Sequence, residues 1–148
     1  MKIFTLTNEL WLPQLPEEVF PFFADATNLE RLTPSSLRFR ILTPLPIEMT
    51  VGALIDYRIR LQGIPMRWQS EITLWEPPHR FIDEQRRGPY RLWVHEHTFI
   101  AQDGGTLVKD IVHYAVVGGA IVQRVFVASE LRRIFEYRNA ALIDYFAQ

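Results

Sequence analysis

Apolar and polar residues alternate along most of this chain, and only near its end does the pattern change to the period of a helix. Residues 2–12 set Phe4, Leu6 and Leu10 against Thr5, Thr7 and Glu9, which predicts a strand that Pro13 ends. Pro16-Glu17-Glu18-Val19-Phe20 then puts a proline and two acids in a first helical turn, where a missing N–H costs nothing and negative charge meets the helix dipole. This helix is short, because Asp25-Ala26-Thr27-Asn28 opens a second one over 29–32 that Thr33-Pro34 stops. Residues 37–42 predict another strand, ended by Thr43-Pro44.

Hairpins follow. Ala53, Ile55, Tyr57, Ile59 and Leu61 share one face of a strand over 53–61, with Asp56, Arg58 and Arg60 on the other. Gly63-Ile64 fits a two-residue type II′ turn with glycine first, and the next strand presents Met66, Trp68, Ser70, Ile72 and Leu74 to the same side. Pro77-Pro78 makes a corner, and residues 80–86 carry Phe81, Asp83 and Gln85 on one face. Gly88-Pro89 turns into a strand reading Trp93-x-His95-x-His97-x-Phe99, and residues 106–117 form the last strand. From Gly119 a long helix is predicted, with Val127, Leu131, Ile134, Leu142 and Tyr145 along one side.

A curved antiparallel sheet with one apolar face must cover it, and the C-terminal helix is the only element long enough to do so. The predicted fold is therefore α+β: a curved antiparallel sheet wrapped around a long C-terminal helix, with two short helices after the first strand, in a single domain over 1–148. Such a wrap tends to leave a cavity, and an aromatic content of 13% favours a core that surrounds bulky apolar matter.

Charge and composition remove several classes of function. Sixteen basic and seventeen acidic residues nearly cancel, so no footprint for nucleic acid or an anionic membrane is visible. No cysteine is present, which excludes disulfides, a thiolate nucleophile and Cys-ligated metal. The start turns polar within a few residues, which predicts no secretory leader, and no apolar run approaches the ~18 residues of a membrane span. The expected setting is the cytoplasm. Nucleotide-binding glycine motifs, a serine nucleophile elbow and a phosphate loop are all missing.

The candidate chemistry lies in the histidine strand. If Asp103-Gly104 is a two-residue turn, His97 falls across from Asp110, His95 from Val112, Trp93 from Tyr114 and Phe99 from Val108, while Lys109 and His113 face the other way. The same reasoning on the preceding hairpin would bring Asp83 near His95, with the Gly88-Pro89 loop leaving that register open by about two residues. The arrangement admits a structural polar cluster, a group that orients a ligand's polar end, or an acid–base pair. A metal site is disfavoured at this level, since alternate strand positions lie about 7 Å apart. Arg138 falls on the buried stripe of the last helix, where a guanidinium needs a carboxylate or a ligand anion.

Several motifs carry a resemblance: Leu32-Thr33-Pro34, Gly52-x-x-Ile55-Asp56-Tyr57-Arg58, Gly63-Ile64-Pro65-x-x-Trp68, Trp75-x-Pro77-Pro78, Phe81-x-Asp83-x-Gln85, Gly88-Pro89-Tyr90, the histidine strand itself, and Ile134-Phe135-x-Tyr137-Arg138. With the element order, they resemble the helix-grip SRPBCC superfamily of START-related, birch-pollen-allergen-like and polyketide cyclase/dehydrase proteins, and within it a bacterial ligand-binding subfamily. One departure is Val116-Val117-Gly118-Gly119, where many relatives carry a proline. The resemblance implies a fold and a cavity, and the subfamily brings no established reaction or substrate. The reading of the residues is a small, largely apolar ligand or lipid held between sheet and helix, alternatively a cyclase/dehydratase acting on a polyketide-like substrate, and third an interaction module with an incidental cavity. The residues expected to line the site are Tyr57, Trp68, Asp83, Trp93, His95, His97, Phe99, Asp110, Tyr114 and Arg138; His97 and Asp110 would be the catalytic pair if there is one. No metal, cofactor or nucleic-acid partner is expected, and the oligomeric state is left open.

Overall fold

The computed structural model describes residues 1–147. Its strands are β1 (Phe4–Leu12), β2 (Arg40–Ile41), β3 (Leu54–Leu61), β4 (Ile64–Glu76), β5 (Arg80–Arg87), β6 (Leu92–Gln102) and β7 (Gly105–Ala115). They form one seven-stranded antiparallel sheet in the order β1-β7-β6-β5-β4-β3-β2. Helix α1 (Pro16–Ala24) follows β1. The C-terminal helix runs as α2 (Gly119–Val122), a π-helical stretch (Gln123–Val127) and α3 (Ala128–Phe146). This is the α+β architecture expected from the alternation pattern, with the long helix starting at Gly119 despite the absent proline. Among the described residues no helix is long and apolar enough to cross a membrane.

The β6–β7 hairpin has the expected register. Gln102 pairs with Gly105, and both turn residues, Asp103 (φ 50°) and Gly104 (φ 75°), are left-handed as a type I′ turn requires. Gly105 itself is needed for a different reason: a Cβ there would sit 2.2 Å from the Leu12 carbonyl oxygen and 2.7 Å from Cζ2 of Trp11. The backbone contact cannot yield cheaply, so Gly105→Ala is expected to cost about 1–3 kcal/mol. Urea unfolding checks this, and a neutral result would show that β1 can back away from β7.

Other local expectations are corrected. The β3–β4 turn is Gln62-Gly63, not Gly63-Ile64; Leu61 pairs with Ile64, and positive φ at both turn residues makes it type I′ with glycine second. Tyr57 therefore faces Trp68. A register shift in β4 between Ile72 and Leu74 is a bulge that reverses the alternation. Trp75 rather than Leu74 then packs inward, 5.1 Å from Phe20 and 5.4 Å from Phe81 between ring centroids. Residues 37–42 give only the two-residue β2, because 35–37 form a 3-10 turn and Arg38 is left-handed (φ 46°). The second short helix is a 3-10 turn over Ala26–Leu29, capped by Asp25 Oδ1 accepting from Thr27 N at 3.0 Å.

The buried stripe of α3 is Leu131, Phe135, Arg138, Leu142 and Phe146. Tyr145, expected on it, is 44% exposed, and Ile134 is half-buried. Two apolar clusters fill the inner face of the sheet. One holds Phe20, Phe23, Phe81, Phe99, Val108 and Leu142; the other holds Val112, Tyr114, Val116, Leu131 and Phe135. Along β6 and β7 the side chains between these clusters are His97, His95 and Asp110, so the apolar face is interrupted by a buried polar patch.

Candidate functional site: a polar-floored cavity

Between the sheet and α3 lies a cavity of ≈ 190 Å³. One wall is aromatic: Trp68 stacks on Tyr57 (5.8 Å, 15° between planes) and meets Trp93 edge-on at 5.3 Å. The Trp68 indole Nε1 donates to Ser70 Oγ at 2.9 Å, so the buried ring leaves no orphaned donor. Burial pushes the Tyr57 phenol far above its ordinary range and keeps it protonated.

The polar floor is built from β5, β6, β7 and α3. His95 and His97 are each 5% exposed and Asp110 1%. His97 Nε2 donates to Asp83 Oδ2 at 2.6 Å, and His95 Nε2 donates to Asp110 Oδ1 at 2.7 Å. Asn8 Nδ2 donates to the other Asp110 oxygen at 3.3 Å. Arg138, 7% exposed, brings Nη2 to 3.6 Å from Asp110 Oδ1, and its guanidinium lies over Phe23 (5.5 Å) and Phe135 (5.8 Å). Its Nε and Nη2 make no hydrogen bond, and neither does His97 Nδ1.

The backbone registers are as expected, with His97 opposite Asp110 and Asp83 opposite His95. The side-chain bonds run along the diagonals instead. His97 bonds Asp83, His95 bonds Asp110, and His97 Nδ1 stands 3.6 Å from Asp110. Diagonal neighbours in an antiparallel pair are within reach of long side chains, and the inward lean brings the two imidazoles face to face at 3.6 Å. This convergence also corrects the argument that alternate strand positions hold the two rings far apart. Phe81 caps the stack, 4.0 Å from the His97 ring.

The electrostatics follow from burial. Desolvation, then the neighbouring His95, lower His97 to about 4, so it is a neutral imidazole near pH 7 despite Asp83 and Asp110 beside it. Burial alone would raise both carboxyls. At Asp83 the His97 hydrogen bond and the charges around it reverse this; at Asp110 the Arg138 charge and the His95 bond do so, and both stay ionised.

Of the residues expected at the site, Tyr57, Trp68, Asp83, Trp93, His95, His97 and Arg138 line the cavity. Phe99, Asp110 and Tyr114 do not: Phe99 packs 5.1 Å from Phe20 and 5.0 Å from Phe23, Tyr114 belongs to the second apolar cluster, and Asp110 stands behind the histidines. Phe23 and Phe135, which flank Arg138, were missed. The 131/135/138/142 spacing was the signal for Phe135. Asn8 was missed as well, because β1 reaches Asp110 only through the β1–β7 pairing, which no turn announces.

A curved antiparallel sheet closed by a long C-terminal helix over such a cavity is the helix-grip class. The chain belongs to the family described as polyketide cyclase / dehydrase and lipid transport, whose model matches residues 12–137. A search of curated proteins finds no match. Among solved structures, major latex-like protein 151 from Panax ginseng is similar with a TM-score of 0.72 at 11% identity, over 99% of both chains. Protein Ms6760 from Mycobacterium smegmatis is similar with a TM-score of 0.70 at 18% identity, over 97% of this chain and 90% of its own. Ara h 8.0201 gives a TM-score of 0.71 at 14% identity, over 99% of both chains. At these identities the likeness is one of fold.

Proposed function

We propose that the protein binds a small, largely apolar molecule in this cavity, with the ligand's polar group at the histidine–carboxylate–arginine floor. The observation that carries this reading is an aromatic-walled space with one polar end, where a buried arginine makes no hydrogen bond at Nε or Nη2. Size narrows the choice. A dry cavity of about 150 Å³ holds benzene, whereas drug-sized ligands need about 300–1,000 Å³. At ≈ 190 Å³ the space suits a molecule of one or two rings better than a lipid chain. A cytoplasmic setting without nucleic-acid partners belongs to the same reading.

Titration with 2-naphthol, in chelator and followed by tryptophan fluorescence, tests it, since Trp68 and Trp93 form the wall. Saturable quenching is expected. Ile59→Phe, which adds a ring to the cavity wall, should weaken binding at least tenfold while leaving Tm unchanged or higher. Unchanged affinity in that variant would place the probe elsewhere and overturn the reading.

A second reading, acid–base turnover of the bound molecule, is favoured by the Asp83–His97 hydrogen bond on the cavity wall. In it the pair is His97 with Asp83, and Asp110 does not touch substrate. Turnover of a polyketide that survives His97→Gln would remove His97 from that role.

A further inference from the structure

We propose that Asp83, His95 and His97 form a site for one divalent first-row transition-metal ion in the cavity wall, with Asp110 as the carboxylate behind both imidazoles. Asp83, His95 and His97 each offer one donor atom, and the three lie within 4.8 Å of one another. The nitrogen turned toward Asp83 is His95 Nδ1, with Asp83 Oδ2 4.0 Å from it and 2.6 Å from His97 Nε2. Bonds of about 2.0–2.2 Å to imidazole and carboxylate need donors spaced a little over 3 Å apart, so the 4.0 Å pair must close and the 2.6 Å pair open by under an ångström each.

The protonation pattern around these atoms favours the same answer. His95 donates from Nε2 to Asp110, which leaves the Nδ1 lone pair on the Asp83 side. His97 donates from Nε2 to Asp83, which leaves Nδ1 as a buried acceptor with no partner. When a cation takes Nε2, the His97 proton moves to Nδ1, where Asp110 Oδ1 at 3.6 Å can accept it. One carboxylate oxygen then orients both ligating rings, the usual outer partner of metal-bound histidine. A purely hydrogen-bonded cluster has no use for that arrangement and strands the His97 nitrogen.

Charge agrees. One buried and one half-buried carboxylate face one guanidinium, and Arg138 sits on Asp110, the residue that is not a ligand. Two nitrogens and one oxygen suit zinc, iron(II), cobalt(II) or nickel(II), and three protein ligands leave positions open toward the cavity for water or a ligand oxygen. The inference goes beyond apolar binding, which requires no ion, and the naphthol titration in chelator keeps the two separable.

The test uses untagged full-length protein, stripped with chelator, dialysed and titrated with Co²⁺. Visible ligand-field bands saturating at one ion per chain and displaced by Zn²⁺ are expected. Asp83→Asn should weaken binding at least tenfold; if that variant does not fold by circular dichroism, His95→Gln carries the same comparison. A His79→Gln/His113→Gln variant, which lacks the histidines outside the cluster, should bind as the wild type does. Absence of saturable bands up to millimolar Co²⁺, retention of binding in Asp83→Asn or His95→Gln, or its loss in the His79/His113 variant would overturn the proposal.

Discussion

Asp110→Ala is expected to cost about 3–5 kcal/mol, a large part of the 5–15 kcal/mol that a domain of this kind holds in reserve. The carboxylate is 1% exposed and accepts from His95 at 2.7 Å and Asn8 at 3.3 Å, with Arg138 at 3.6 Å. Removing it leaves a guanidinium that is 7% exposed and has no hydrogen bond of its own on Nε or Nη2. The cost is mostly that of a stranded buried cation, so removing both partners should cost far less. Asp110→Leu with Arg138→Met is expected to recover most of the stability lost in Asp110→Ala. Urea unfolding of the double variant together with Asp110→Leu and Arg138→Met alone measures the coupling directly. A loss below about 1 kcal/mol in Asp110→Ala would mean that Arg138 finds water or another partner, and the account of the polar floor would be wrong.

The second large effect is acid lability of the metal-free protein. His97 lies at about 4 when folded against 6.5 ordinarily, so between those values the unfolded chain binds a proton that the folded chain refuses. Stability should be level above about pH 6.5 and fall as pH drops toward 4, by on the order of 3 kcal/mol. Asp83 and Asp110 are held below their ordinary range, so they extend the loss below the usual carboxylate pKa. The groups that act on His97 are His95 on its own strand, Asp83 on β5 and Asp110 on β7, with Arg138 of α3 beyond Asp110. In urea melts with chelator present, His97→Gln should flatten the upper part of the decline and keep the lower part. Stability that rises on acidification, or a slope unchanged in His97→Gln, would contradict the burial argument.

Much of the architecture was legible because a strand buried on one face writes its period into the sequence. Asp103-Gly104 located the β6–β7 register to the residue, since that pair accepts left-handed backbone at both turn positions. The Gln62-Gly63 turn was misplaced by one residue because a glycine serves the first position of one turn type and the second of another. The inward turn of Trp75 was illegible for a similar reason: a bulge reverses alternation, and β4 carries no local mark of where its partner skips a residue.

For the site, sequence and structure divided the information along physical lines. The sequence by itself determined which side chains share the inner face, because alternation and a two-residue turn are local rules. The Asp103-Gly104 turn placed His95, His97 and Asp110 together, while the Gly88-Pro89 loop left the register of Asp83 for the structure to decide. Which atom bonds which was settled only by the tertiary structure. The lean of the side chains, the sheet's curvature and the arrival of Arg138 from a helix distant in sequence are non-local. Together they crossed the pairs, stacked the two imidazoles at 3.6 Å and put Asp110 behind the cavity wall instead of on it.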